Sequence, residues 1–141
     1  MSDDDIENWK LFCEGPNGQV WMHKDCMKEI TKAKVPKMTA KILGDYMPER
    51  FCKFENLADL THEQFNPNEG AHKVAGITIR MSAFKNYQLR VYGRLGSVHT
   101  VRAFFACGAE IKKKDLANPR AVKRCASRLD AIEAEIEGAK L

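Results

Sequence analysis

The sequence predicts a single α+β domain over residues 1–141: a small antiparallel sheet with an N-terminal helical hairpin and a C-terminal helix packed on one face. Three observations predict it. Three β-rich runs crowd into residues 74–81, 87–95 and 98–107. Before them, Met38, Ile42 and Tyr46 recur at helical spacing; after them, Val122, Cys125, Leu129, Ile132 and Ile136 do the same. A chain of 141 residues, 44% hydrophobic and 30% charged, suffices for one core.

In chain order, residues 9–13 read as a short strand closed by the turn signal Gly15-Pro16-Asn17-Gly18, with residues 19–22 as its hairpin partner. Residues 24–47 read as a broken helical hairpin: Met27 and Ile30 mark a first turn, Pro36 opens the second helix, and Pro48 ends it. Residues 50–70 read as loop with a helical turn near Thr61-His62-Glu63-Gln64. The last two β-rich runs are joined by a turn at Gly96-Ser97, giving an antiparallel meander. Asn118-Pro119 supplies a cap and first position for the final helix, which ends near Gly138.

Composition narrows the function. No apolar run approaches the roughly 20 residues that span a bilayer, and Met1-Ser2-Asp3-Asp4-Asp5 is acidic where a secretory signal is basic, so a cytoplasmic protein without membrane contact is expected. The odd count of five cysteines points to free thiols. Cys13, His23, Cys26 and Cys52 are metal-capable, but the paired knuckles of structural zinc sites are missing, so neither metal nor cofactor is expected. Phosphate-loop, dinucleotide, serine-hydrolase and zinc-protease motifs are also absent.

The net charge of +4 hides an asymmetry. Residues 73–124 hold twelve Lys and Arg against two acids, Glu110 and Asp115. Such a segment suits a polyanion or an acidic protein. Strand alternation places Leu89, Val91, Leu95, His99, Val101, Ala103 and Phe105 toward the core. A three-residue loop Leu95-Gly96-Ser97 then sets Tyr92 across from Thr100 and Arg90 across from Arg102. The opposite face carries Arg80, Arg90, Tyr92, Arg94 and Arg102, extended by Lys112, Lys113 and Lys114. Guanidinium forks match phosphate oxygens, and a tyrosine among them can stack on a base.

Gln88-Leu89-Arg90, then Val101-Arg102 running into Ala103-Phe104-Phe105, then Lys112-Lys113 and Asn118-Pro119 before a helix, resembles the HigB-like, phage-derived branch of the RelE/ParE toxin superfamily. The match spans roughly residues 74–132; where the family has a His-Gly-Phe-like tripeptide, this chain has Cys107-Gly108-Ala109-Glu110-Ile111. The resemblance implies a RelE-like fold and a metal-independent endoribonuclease that cuts mRNA at the ribosome, held by a cognate antitoxin. It implies Arg90 and Arg102 as phosphate clamps, with Lys112 and Lys113 stabilising the transition state or contacting ribosomal RNA. Tyr92 enters by parity as a proton-transfer or stacking group, and Arg80, Arg94 and Lys114 as RNA or antitoxin contacts. The alternatives are a non-catalytic, phage-derived nucleic-acid-binding or regulatory protein, and a ParE-type gyrase inhibitor.

Overall fold

A computed structural model describes residues 5–6, 8–74, 77–112 and 119–129. The chain opens with strands β1 (Asp5–Ile6), β2 (Trp9–Gly15) and β3 (Gly18–His23), and the expected hairpin forms between β2 and β3. Helix α1 (Lys24–Ala33) follows at once, capped by His23, whose Nδ1 accepts from the Asp25 N–H at 3.1 Å. Lys34 closes it in the left-handed region, φ 54°. Helix α2 (Pro36–Lys41) begins on its proline as expected. It runs directly into a π-helix, Ile42–Phe51, which holds Pro48 in its interior. The sequence placed a stop at Pro48. In an α-helix the ring meets the carbonyl four residues back; the wider turn shifts that register and the chain passes through.

After a 3-10 turn at Leu57–Asp59 come β4 (Phe65–Asn66), β5 (Ala71–Val74), β6 (Ile77–Arg80), β7 (Ser82–Asn86), β8 (Leu89–Val98), β9 (Val101–Ile111) and helix α3 (Pro119–Arg128). Seven strands form one sheet in the order β1-β2-β3-β9-β8-β7-β4, while β5 and β6 make a separate pair. The β3–β9 pairing is parallel and the rest are antiparallel, so the sheet is mixed. The expected small antiparallel sheet under an N-terminal helical hairpin is therefore corrected. A β-hairpin comes first, and α1 and α2 are steps in the long crossover that returns the chain to β9 in the centre. The end of the α3 stripe at Ile132 and Ile136, its expected close at Gly138 and its cap at Asn118 lie outside the described residues. No described helix is long and apolar enough to cross a membrane.

Both faces of the sheet are covered. One packs Ile30, Ile42 and Met47 with four phenylalanines, Phe51, Phe65, Phe84 and Phe104, whose rings lie 4.8–6.2 Å apart. The other joins Trp9, Trp21, Ile79, Met81, Tyr92 and Phe105 with Cys125 of α3 and Leu129 just after it. Residues 103–109 of β9 are all buried, which is the signature of a strand with no solvent side. The β8–β9 turn is also corrected. It is the pair His99-Thr100, both at positive φ (50° and 69°), and not Leu95-Gly96-Ser97. Two residues in that region give the turn whose twist matches the flanking strands. His99 is consequently exposed and not core-facing.

The β3–β9 pairing stops at Met22↔Ala106, but β9 continues to Ile111. Side chains complete the bared edge. Glu29 of α1 accepts from the Ala109 N–H at 3.1 Å, and Arg128 of α3 donates to the Cys107 carbonyl at 2.7 Å. The two side chains bind each other through two further contacts of 3.1 and 3.2 Å, and both are largely shielded. At the same place β9 bulges, with Tyr92 opposite Gly108 and Gly93 opposite Ala106. A side chain at Gly108 would collide with Cys125 Sγ.

Two predictions follow from this junction. Arg128→Met takes one donor from a shielded carboxylate that Arg124 still holds at 3.2 Å and leaves the Cys107 carbonyl without its side-chain partner, so chemical denaturation should show a loss of about 2 kcal/mol. Glu29→Met with Arg128→Met should lose less than the sum of the two single changes. Burial and then the charge of Arg128 hold the His23 imidazole below its ordinary value near ~6.5. The unfolded chain binds this proton more readily, so stability is full above that ordinary value and is lost as pH falls through the depressed one. His23→Asn keeps the cap and should flatten this part of the pH profile of thermal midpoints.

Candidate nucleic-acid interface

A groove of about 1320 Å³ opens between α2, the start of the π-helix, the turn at residues 61–64 and the β7–β8 turn. Lys37 and Lys41 line it from α2, one helical turn apart, and Lys85 and Arg90 line it from the paired strands. Its acids are Asp45 and Glu63. Asp45 is already engaged by Arg50 through two contacts of 3.2 Å. Tyr46 is held there by Asn86, whose Nδ2 donates to the phenolic oxygen at 2.9 Å. Burial, then the charges of Arg90 and Lys112, draw the Lys85 ammonium below its ordinary range, with Glu69 and Glu63 opposing. A further negative charge is welcome at such a place.

The rim carries Tyr87, at 83% the one exposed large hydrophobic residue among those described. It occupies the first turn position between Asn86 and Leu89 at φ 49°. A side chain with a Cβ costs roughly 1–2 kcal/mol in that region, and turns of this shape ordinarily place glycine there. Arg90 braces the turn, its Nη1 donating to the Tyr87 and Leu89 carbonyls. The Lys112 N–H donates to the Gln88 carbonyl at 2.7 Å, bringing the end of β9 alongside. An aromatic ring neither buried nor comfortable is poorly explained by folding.

Of the residues expected in one strip, the structure brings Arg90 and Lys112 together at this turn. The rest disperse. Across β8–β9, Arg90 faces Glu110, Tyr92 faces Gly108, Arg94 faces Phe105 and Arg102 faces Ser97, so the expected pairings Arg90 with Arg102 and Tyr92 with Thr100 do not form. Tyr92 is fully buried, and its hydroxyl donates to Glu110 at 2.7 Å. Arg102 turns toward the helical layer, lies 4.9 Å over the Phe51 ring and donates to the carbonyls of Phe51, Phe54 and Glu55. Arg80 sits in the separate β5–β6 pair and donates to Asn68 at 3.1 Å. Lys113 and Lys114 lie outside the described residues.

Sequence reasoning missed Lys37, Lys41, Lys85 and Tyr87. Lys37 and Lys41 carry a legible i, i+4 spacing on a helix that begins at Pro36. Asn86-Tyr87 holds a turn-forming residue inside what reads as the edge of a strand. Comparison with family models, with curated proteins and with solved structures finds no match for this chain.

If Tyr87 is not held for folding, Tyr87→Asn should make the protein more stable by about 1 kcal/mol, read as a higher denaturation midpoint at unchanged slope.

Proposed function

We propose that the protein binds single-stranded nucleic acid, RNA in the first instance, along the groove beside Tyr87. The observation that carries this reading is the exposed, left-handed Tyr87 on the rim of a groove lined by Lys37, Lys41, Lys85 and Arg90. Lysine and arginine neutralise successive phosphates, and an exposed ring stacks on a base without demanding a sequence.

A second reading is mRNA cleavage of the toxin kind, with the ribosome as the place of action and an antitoxin as the restraint. One observation favours it: Glu63 lines the same groove as Lys85 and Arg90. A carboxylate that takes the 2′-hydroxyl proton, beside cations that neutralise the phosphate, is the minimum such a reaction requires.

Fluorescence anisotropy with a short labelled oligoribonucleotide tests the first reading. Tyr87→Asn should weaken binding about tenfold. Lys37→Gln, Lys41→Gln and Lys85→Gln together should reduce the slope of log affinity against log salt by about 2. Unchanged affinity and slope would overturn the assignment. Cleavage of the same RNA, abolished by Glu63→Gln while binding persists, would establish the second reading over the first.

A further inference from the structure

Away from the groove, two thiols far apart in sequence meet. Cys13 Sγ of β2 lies 3.7 Å from Cys52 Sγ, just past the π-helix. The sequence marked both as candidates for metal and found no knuckle around them. Their meeting is built from the backbone up. The β2–β3 turn donates from the Asn17 N–H to the Cys52 carbonyl at 2.9 Å, and from Asn17 Nδ2 to the Lys53 carbonyl at 2.9 Å. Gly15 and Gly18 permit this approach: a Cβ on Gly15 would stand 2.8 Å from the Cys52 oxygen, and one on Gly18 2.9 Å from the Phe51 oxygen. The glycines of the turn thus serve a tertiary contact, and the two cysteine backbones are fixed relative to each other before any bond joins them.

The pair also has unequal surroundings. Cys52 is fully buried, whereas Cys13 is only half-buried. The hydrogen bond from Cys13 draws the Cys52 thiol below its ordinary value, and Arg102 acts in the same direction against the burial. The pair therefore sheds one proton more readily than an isolated buried thiol, and the remaining proton can pass across the contact to either sulfur. By contrast Cys26, Cys107 and Cys125 are fully buried, and burial raises the thiols of Cys26 and Cys107 well above their ordinary value.

We infer that Cys13 and Cys52 form an oxidation site, in which peroxide converts the neighbouring thiols into a disulfide that fastens β2 to the end of the π-helix. The hydrogen bond to Cys52, and then burial, raise the Cys13 thiol, so Cys13 first passes its proton across the contact to the Cys52 thiolate and then, as the sulfur that solvent reaches, attacks one peroxide oxygen. The O–O bond breaks, Cys13 becomes a sulfenic acid, and the departing hydroxide takes a proton to become water. Cys52 sulfur then attacks the Cys13 sulfur, the S–O bond breaks, and a second water leaves. Two thiols and one peroxide become one disulfide and two waters. The bond closes a loop of about 40 residues and should raise the thermal midpoint by about 10 °C.

The test treats the full chain with hydrogen peroxide and maps the product by mass spectrometry without reduction. The expected result is a loss of two hydrogens, a cross-linked peptide pair holding Cys13 and Cys52, and a higher midpoint that dithiothreitol reverses. In Cys52→Ala, dimedone should trap the sulfenic acid on Cys13, because the second sulfur is gone. Sulfinic acid on Cys13 of the wild-type chain without a cross-link, or links through Cys26, Cys107 or Cys125, would overturn the inference. Because the wild-type mapping stands by itself, a variant that fails to fold does not shelter it.

Discussion

The Glu29–Arg128 pair is the contact on which the arrangement of layers depends. A parallel strand that ends early leaves the neighbouring strand with donors and acceptors facing nothing, and an unpaired buried backbone group costs about as much as a lost hydrogen bond. Here one carboxylate and one guanidinium take the place of the missing strand on β9. They come from α1 and α3, so the repair of the sheet edge is also the joint between the two helices. Gly108 keeps that joint narrow, since only a residue without a side chain lets α3 and its Cys125 approach.

The same economy governs the arginines of the basic segment. Arg102 closes the carbonyls at the end of the π-helix, Arg90 braces the β7–β8 turn, and Arg80 ties Asn68. A planar fork of five donors suits such convergent backbone oxygens, whereas a lysine offers a mobile point charge. The charge excess in the sequence therefore divides by residue type. Arginines are drawn into structural contacts, and lysines supply much of the groove's positive lining, two of them from α2, outside the basic segment altogether.

This division explains what the sequence made legible. The β2–β3 hairpin, the start of α2 at Pro36 and the start of α3 at Pro119 could all be read, because each rests on local turn or cap chemistry. The location of the arginine side chains could not. Parity along Arg90, Tyr92 and Arg94 assumes that one sheet face meets water, and the uninterrupted burial of residues 103–109 shows both faces covered. The hairpin register also turned on His99-Thr100, where the β-branched Thr100 disfavours the left-handed region it occupies, while Gly96-Ser97 nearby offered a stronger local signal. Tertiary twist decided against local propensity. At the candidate site, Arg90 and Lys112 were legible as basic residues of one surface, but Lys37 and Lys41 enter it only through the long crossover.

That crossover also sets an order of events in assembly. The partners in the parallel pair are separated by more than eighty positions, Gln19 with Ala103 and Met22 with Ala106. As the chain is synthesised from its N-terminus, β3 has β2 on one side and an open edge on the other until β9 emerges. The centre of the sheet is thus the last part to close, and a large loop entropy is met before it is rewarded. The sheet therefore cannot close before β9 arrives, and until then the free side of β3 is an open strand edge.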